Sequence, residues 1–411
     1  MIRFEKRMLS NGMRILHHYD SMTRMVAVNL MYGVGSRNER EGKTGLAHLF
    51  EHLMFSGSEH APSFDQPIQA AGGESNAWTS VDFTNYYEVL PSQNIETALW
   101  LESDRLTGLK LDESSIETQR RVVIEEFKQR CLNVPYGDLN HMIHRMAYRS
   151  YPYKWPTLGA SVEDVEHLQP EEIVEFFKKH YAVNNLVMCI SGNIGLEQAM
   201  ELAEKWFGDI PSQELDEMEL SPEPAQNELR RETVKRDVPQ DLIYMAFHMC
   251  GRMDPDFVAC DMISDMLANG MSSRFTQNVL AKNDVFTELD AAVEGTQAPG
   301  LFLVRGKLSP KADIHRAEAI IREELRRMTT EPVSSEEIQK CINKYQSTLL
   351  FENVGYLQKA TRLCQYEMSG DVEMVNREVE LYRAITPDDI ARVSNQLFAD
   401  SNASIIHYQS N

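Results

Sequence analysis

The sequence predicts an α+β protein of two similar domains, each a mostly antiparallel sheet with helices packed on one face. Three observations predict it. Its 411 residues exceed what one compact core usually takes. Short apolar runs alternate with longer segments whose apolar residues recur every three to four positions, the mixture of strand and helix periods. The second half also echoes the order of the first: Thr386-Pro387-Asp388-Asp389-Ile390 opens a helix as Gln169-Pro170-Glu171-Glu172-Ile173 does, and each leads to an apolar strand. An internal duplication is therefore expected. The predicted division is 1–215, a linker at 216–240, and 241–411. The linker is placed where Pro211 to Gln226 turns acidic, Pro-bearing and poor in aromatics.

The elements follow in order. Gly12 to His18 reads as a strand after an Asn11-Gly12 turn, and Met25 to Tyr32 as its successor. A Gly-rich loop, Gly33 to Arg37, leads to a helix from about Gly45 to Phe55, with Thr44 as its expected cap. Asn76 to Leu90, rich in Thr, Val, Phe and Tyr, reads as a strand pair or one long strand. Helices are predicted over Ile95–Leu106, Glu113–Cys131 and Pro170–His180, then a strand over Asn185–Ile190. In the second half, helices Ile314–Met328 and Ser335–Leu350 precede the helix at Thr386 and the strand Ala403–His407.

Charge and composition exclude several functions. A net charge of −21 and a pI near 5.0 leave no basic face for phosphates, so no nucleic-acid partner is expected. The same balance disfavours an anionic membrane surface, and no run of 18 apolar residues predicts a spanning helix. The first residues, Met-Ile-Arg-Phe-Glu-Lys, have no apolar run after their charges, so no secretory leader is expected. The six cysteines are scattered, without a Cys-Xaa-Xaa-Cys pair, and read as reduced core thiols. The expected location is the cytoplasm.

The sharpest chemical feature is His48-Leu49-Phe50-Glu51-His52. On a helix, positions i and i+4 share a face, so His48 and His52 can offer two imidazoles to one ion. Zinc takes imidazole nitrogen readily, and a catalytic zinc keeps three protein ligands and an open position. Glu51, beside His52, is placed to take a proton from water there as the general base. The order is the inverse of the commoner zinc-protease motif. A third ligand is needed, and Arg120 to Phe127 offers Glu125 or Glu126 on a predicted helix. Spacing does not choose between them.

Together these segments resemble the pitrilysin and insulin-degrading-enzyme family of zinc metallopeptidases, especially half-length members related to mitochondrial processing peptidase. The likeness runs through Gly35-Ser36-Arg37-Asn38-Glu39, Gly45 to Gly57, Asn76-Ala77-Trp78-Thr79 with Asp82-Phe83-Thr84, Arg120 to Glu126, Gly192-Asn193, and Gly270 to Phe275. The resemblance implies one Zn2+ per chain, held by His48, His52 and Glu126, with Glu51 as general base. Glu126 lies 74 residues after His52, near the family spacing. It also implies that Asn76, Ala77, Trp78 and Thr79 form a sheet edge to which an extended peptide adds as a strand.

Two departures follow. Many members have a glutamate seven residues before the third ligand, supporting the metal site, where this chain has Gln119. Active members also use an Arg and a Tyr in the second half to hold substrate, and those places fall on Leu280 and Thr287. The second-half counterpart of the zinc helix, around Phe257 to Leu267, has no metal motif. The expectation is thus a zinc endopeptidase or oligopeptidase acting on short or unfolded peptides. It would be the metal-bearing subunit of a two-subunit enzyme whose homologous second subunit carries the Arg and Tyr, a homodimer being the other arrangement. The rival is a non-catalytic structural subunit.

Overall fold

The computed structural model describes residues 1–215 and 220–411. They form two compact units, each drawn from three stretches of chain: 1–129, 155–220 and 349–376 in the first, 130–154, 221–348 and 377–411 in the second. The contiguous division expected from the sequence departs from these units in two segments, 130–154 and 349–376. The reason lies in what covers each sheet.

The first unit has strands β1 (Glu5–Met8), β2 (Arg14–Tyr19), β3 (Met25–Tyr32), β4 (Glu74–Thr79), β5 (Thr84–Pro91) and β6 (Leu186–Gly192). Their spatial order is β1-β2-β6-β3-β5-β4, antiparallel except for the parallel pair β2 and β6. Val26, Val28, Leu30 and Tyr32 of β3 face one core with Leu49, Phe50, Leu99 and Phe207 from the helices. The other face meets the helix Tyr356–Met368. Its Cys364 Sγ lies 3.7 Å from the carbonyls of Asn29 and Val187, and Thr361 Oγ1 donates to Asn29 Oδ1 at 3.0 Å. β3 is therefore buried on both faces, which is why it reads as a nearly unbroken apolar run. Each such side chain contributes about 1.5–3 kcal/mol on burial.

The second unit has β7 (Arg230–Arg236), β8 (Leu242–His248), β9 (Phe286–Glu294), β10 (Leu301–Leu308) and β11 (Ala403–Ser410). The order β7-β11-β8-β10-β9 repeats β2-β6-β3-β5-β4, and again only the first pair is parallel. Ile243, Met245 and Phe247 face a core with Met262, Ile263, Ile321 and Leu325. The opposite face meets the helix Leu139–Ala147: Tyr244 Oη donates to Asn140 Oδ1 at 3.2 Å. Each sheet thus has helices on a second face beyond the one expected.

β7 lies inside the stretch expected as linker. Its sequence, Arg-Arg-Glu-Thr-Val-Lys-Arg, is polar because it is an edge strand and exposes most of its length. Of the expected linker, 216–219 lie outside the described residues. Among the described residues no helix is long and apolar enough to cross a membrane.

Candidate metal centre

The motif sits on the helix Leu46–Leu53, which buries Leu46, Ala47, Leu49, Phe50 and Leu53. Phe50 stacks on Phe176 and Phe177 at 5.6 and 5.7 Å between ring centroids, so the apolar side of the helix is anchored. Its start differs from the expectation. Thr44 does not cap it: Thr44 Oγ1 donates to Asp164 Oδ2 at 2.5 Å and accepts from Ala160 N at 2.7 Å. Glu39 takes that role. Its Oε2 accepts from Gly45 N at 2.9 Å and its Oε1 from Ala47 N at 2.8 Å. Burial pushes the Glu39 carboxyl up to about 8, against the pull of those N–H groups.

The opposite side of the helix presents the histidines. The His48 and His52 rings lie 4.9 Å apart between centroids. Their Nε2 atoms stand 3.6 and 3.3 Å from Glu126 Oε2. One ligand atom from each of the three residues falls within 4.8 Å of the others. Two imidazoles and a carboxylate, converging this closely, fit a three-ligand zinc site with an open position. Among the described residues no other group of three such side chains converges like this.

Glu126 comes from the helix Glu113–Phe127, which buries Ile116, Val123, Ile124 and Phe127. The alternative left open by spacing points elsewhere. Glu125 is exposed and pairs with Lys128 Nζ at 2.7 Å. Gln119, half-buried, lies two turns before Glu126 on the same helix.

Glu51 Oε2 accepts from Thr79 Oγ1 at 2.6 Å. This bond ties the motif helix to β4, the outermost strand on its side of the sheet. Along β4, Ala77 packs against the core, Trp78 is half-buried, and Asn76 Oδ1 accepts from Ala77 N at 2.8 Å. The turn after β4 is pinned to the loop before the motif helix. Arg37 Nη1 donates to Asp82 Oδ1 at 2.9 Å, and a Cβ at Gly35 would meet the Ser80 and Val81 carbonyls at 2.5 Å. That close approach accounts for two distant motifs occurring together.

In the second unit, Leu280 ends the turn Phe275–Leu280 and packs against the second core, while Thr287 on β9 donates to the Lys307 carbonyl at 3.3 Å. The counterpart helix spans Phe257–Ala268, and its Ala259, Met262 and Ile263 are buried. Sequence reasoning assigned no role to Glu39, and placed Thr79 in the peptide-binding edge but not beside Glu51. The one signal for Glu39 was its place in the Gly35 to Glu39 segment.

A duplicated α+β scaffold with an inverted two-histidine motif and a distant glutamate is of the metallopeptidase class. Two family models match: "Insulinase (Peptidase family M16)" over residues 14–161 and "Peptidase M16 inactive domain" over 167–345. The chain belongs to the M16 family, among its half-length members. It is similar to the zinc protease PqqE of Helicobacter pylori, 25% identical over 406 residues, covering 97% of this chain and 91% of that one. It is also similar to the mitochondrial-processing peptidase subunit beta of Lentinula edodes, 24% identical, covering 97% and 88%. Among solved structures, a protease from Helicobacter pylori superposes with a TM-score of 0.93 at 25% identity, covering 100% of both chains.

Proposed function

We propose that this chain is a zinc-dependent endopeptidase or oligopeptidase that hydrolyses short or unfolded peptides, as the metal-bearing subunit of a two-subunit enzyme. The observation that carries the reading is the convergence of His48, His52 and Glu126 beside Glu51. His48, His52 and Glu126 would hold the ion. Bound zinc supplies Lewis acidity, lowering the pKa of water and polarising a carbonyl. Glu51 takes the proton released as water adds to the peptide carbonyl carbon, and returns it to the amine as the C–N bond breaks. Thr79 holds the carboxylate of Glu51 in place. Among the described residues β4 pairs with β5 alone, which leaves a sheet edge to which an extended peptide adds as a strand.

Leu280 and Thr287 stand where active relatives carry Arg and Tyr, and neither side chain polarises a carbonyl. The proposed partner is therefore a homologous subunit that supplies both; similarity to a processing-peptidase beta subunit supports this. The proposed location is the cytoplasm.

The decisive experiment assays the purified chain, zinc-loaded, on a mixed peptide pool beside Glu51→Gln, with metal content measured in both. Cleavage that depends on Glu51 supports a peptidase; bound zinc without cleavage directs the search to the partner. Neither metal nor cleavage would sink the reading. The second reading, a non-catalytic structural subunit, is favoured by Leu280 and Thr287 alone, and that last outcome would support it.

A further inference from the structure

The motif helix has only eight residues, too few to be stable alone in water. It must nonetheless hold two imidazoles at one roll angle. The N–H groups of its first turn have no partners within the helix. Its N-cap residue, Gly45, has no side chain to offer them. No other residue fits at that position: φ is +88°, and a Cβ would meet Val165 Cγ2 at 2.8 Å. Thr44 is committed to Asp164 and Ala160.

Glu39 fills the gap from outside the helix. It is 3% exposed and puts one carboxylate oxygen on each of Gly45 N and Ala47 N. Burying a carboxylate is costly unless its oxygens are bonded, and an ordinary Ser, Thr or Asp cap avoids that cost. Here the carboxyl group stands at the N-terminal end of the helix, and Ala47 directly precedes His48. A change in the first turn would rotate His48 and His52 together away from Glu126.

We propose that Glu39 is a positioning residue of the metal centre: its two-point clamp on Gly45 and Ala47 sets the roll at which His48 and His52 meet Glu126. This rests on the zinc reading above. Partners that orient metal ligands from behind are typically worth about 10- to 100-fold in metal affinity.

The test compares the full-length chain with Glu39→Gln and Glu39→Ala by zinc competition against a chromophoric chelator and by the visible spectrum of the cobalt(II)-loaded protein. Thr386→Ala serves as the control. It removes a cap, Thr386 Oγ1 accepting from Asp389 N at 3.2 Å in the second unit, so the motif helix and the residues before it are untouched. Glu39→Gln is expected to raise the zinc Kd about 10- to 100-fold and to shift the cobalt bands, while Thr386→Ala lowers Tm with Kd within about twofold. Glu39→Gln keeps the side-chain volume, so it carries the test if Glu39→Ala does not fold. A Glu39→Gln chain with wild-type Kd and cobalt spectrum but lowered Tm overturns the inference and leaves the zinc reading intact. A wild-type chain that takes up no metal overturns both.

Discussion

The helices that follow β3 and β8 hold the same place in two sheets of the same strand order. Counted from the first residue of each, the third, sixth and seventh positions are His48, Glu51 and His52 in one, and Ala259, Met262 and Ile263 in the other. In the first set His48 and His52 converge on Glu126; the second set is buried in an apolar core. One scaffold position therefore carries a candidate metal site in one half and core packing in the other. Function lies in the grafted side chains, since the fold is common to both.

Glu51→Gln tests the chemical side of this contrast and should have the largest effect. Peptide hydrolysis should fall roughly a hundred- to ten-thousandfold, with zinc content unchanged, as measured by kcat and metal analysis. Substituting the corresponding position in the other half, Met262→Ala, should cost about 2–5 kcal/mol in denaturant unfolding and leave zinc affinity as it was. If Met262→Ala abolished zinc binding instead, the separation of roles would break.

A smaller effect sharpens the site itself. Thr79→Val keeps the shape of β4 and removes the donor to Glu51. A hydrogen bond to a charged group is worth about 1.5–3 kcal/mol, so kcat should fall about 10- to 150-fold, with KM nearly constant. An equal rise in KM would assign Thr79 to peptide binding rather than to orienting Glu51.

The two halves also differ in how plainly their sequences speak. His48 to His52 could be read directly because i and i+4 spacing on a helix is local. Glu126 could not be separated from Glu125 by spacing. The choice depends on which face of Glu113–Phe127 packs inward, and only the fold brings Glu126 Oε2 to 3.6 and 3.3 Å from the two histidines. β7 was hidden by its edge charges, whereas β3 was legible because both its faces are buried. The second-face helices, Leu139–Ala147 and Tyr356–Met368, were recognisable neither as partners nor as boundaries. Their contacts span hundreds of residues, as between Thr361 and Asn29, and periodicity carries no such information. Glu39 went unread for a similar reason: a cap six residues ahead of the N-cap position has no sequence signature, unlike Ser or Thr at the N-cap itself.

Buried glutamates give the smallest and most gradual contrast, through pH. In the second half, burial would raise the Glu318 carboxyl, but His407, Arg322 and Arg231 bond it and hold it down at about 2. With its folded value below the ordinary 4.5, the unfolded chain binds more protons in that interval. Its stabilisation is thus complete above about pH 4.5 and is lost as pH falls toward 2. Glu39 in the first half has the opposite sign. Raised to about 8, its folded form holds the proton more tightly, so its contribution weakens as pH climbs from 4.5 to 8. Unfolding curves collected from pH 2 to 8 should therefore lose part of their acid slope in Glu318→Gln and part of their neutral slope in Glu39→Gln. A Glu318→Gln chain that kept the full acid slope would place the acid-labile carboxylate elsewhere and remove this difference between the halves.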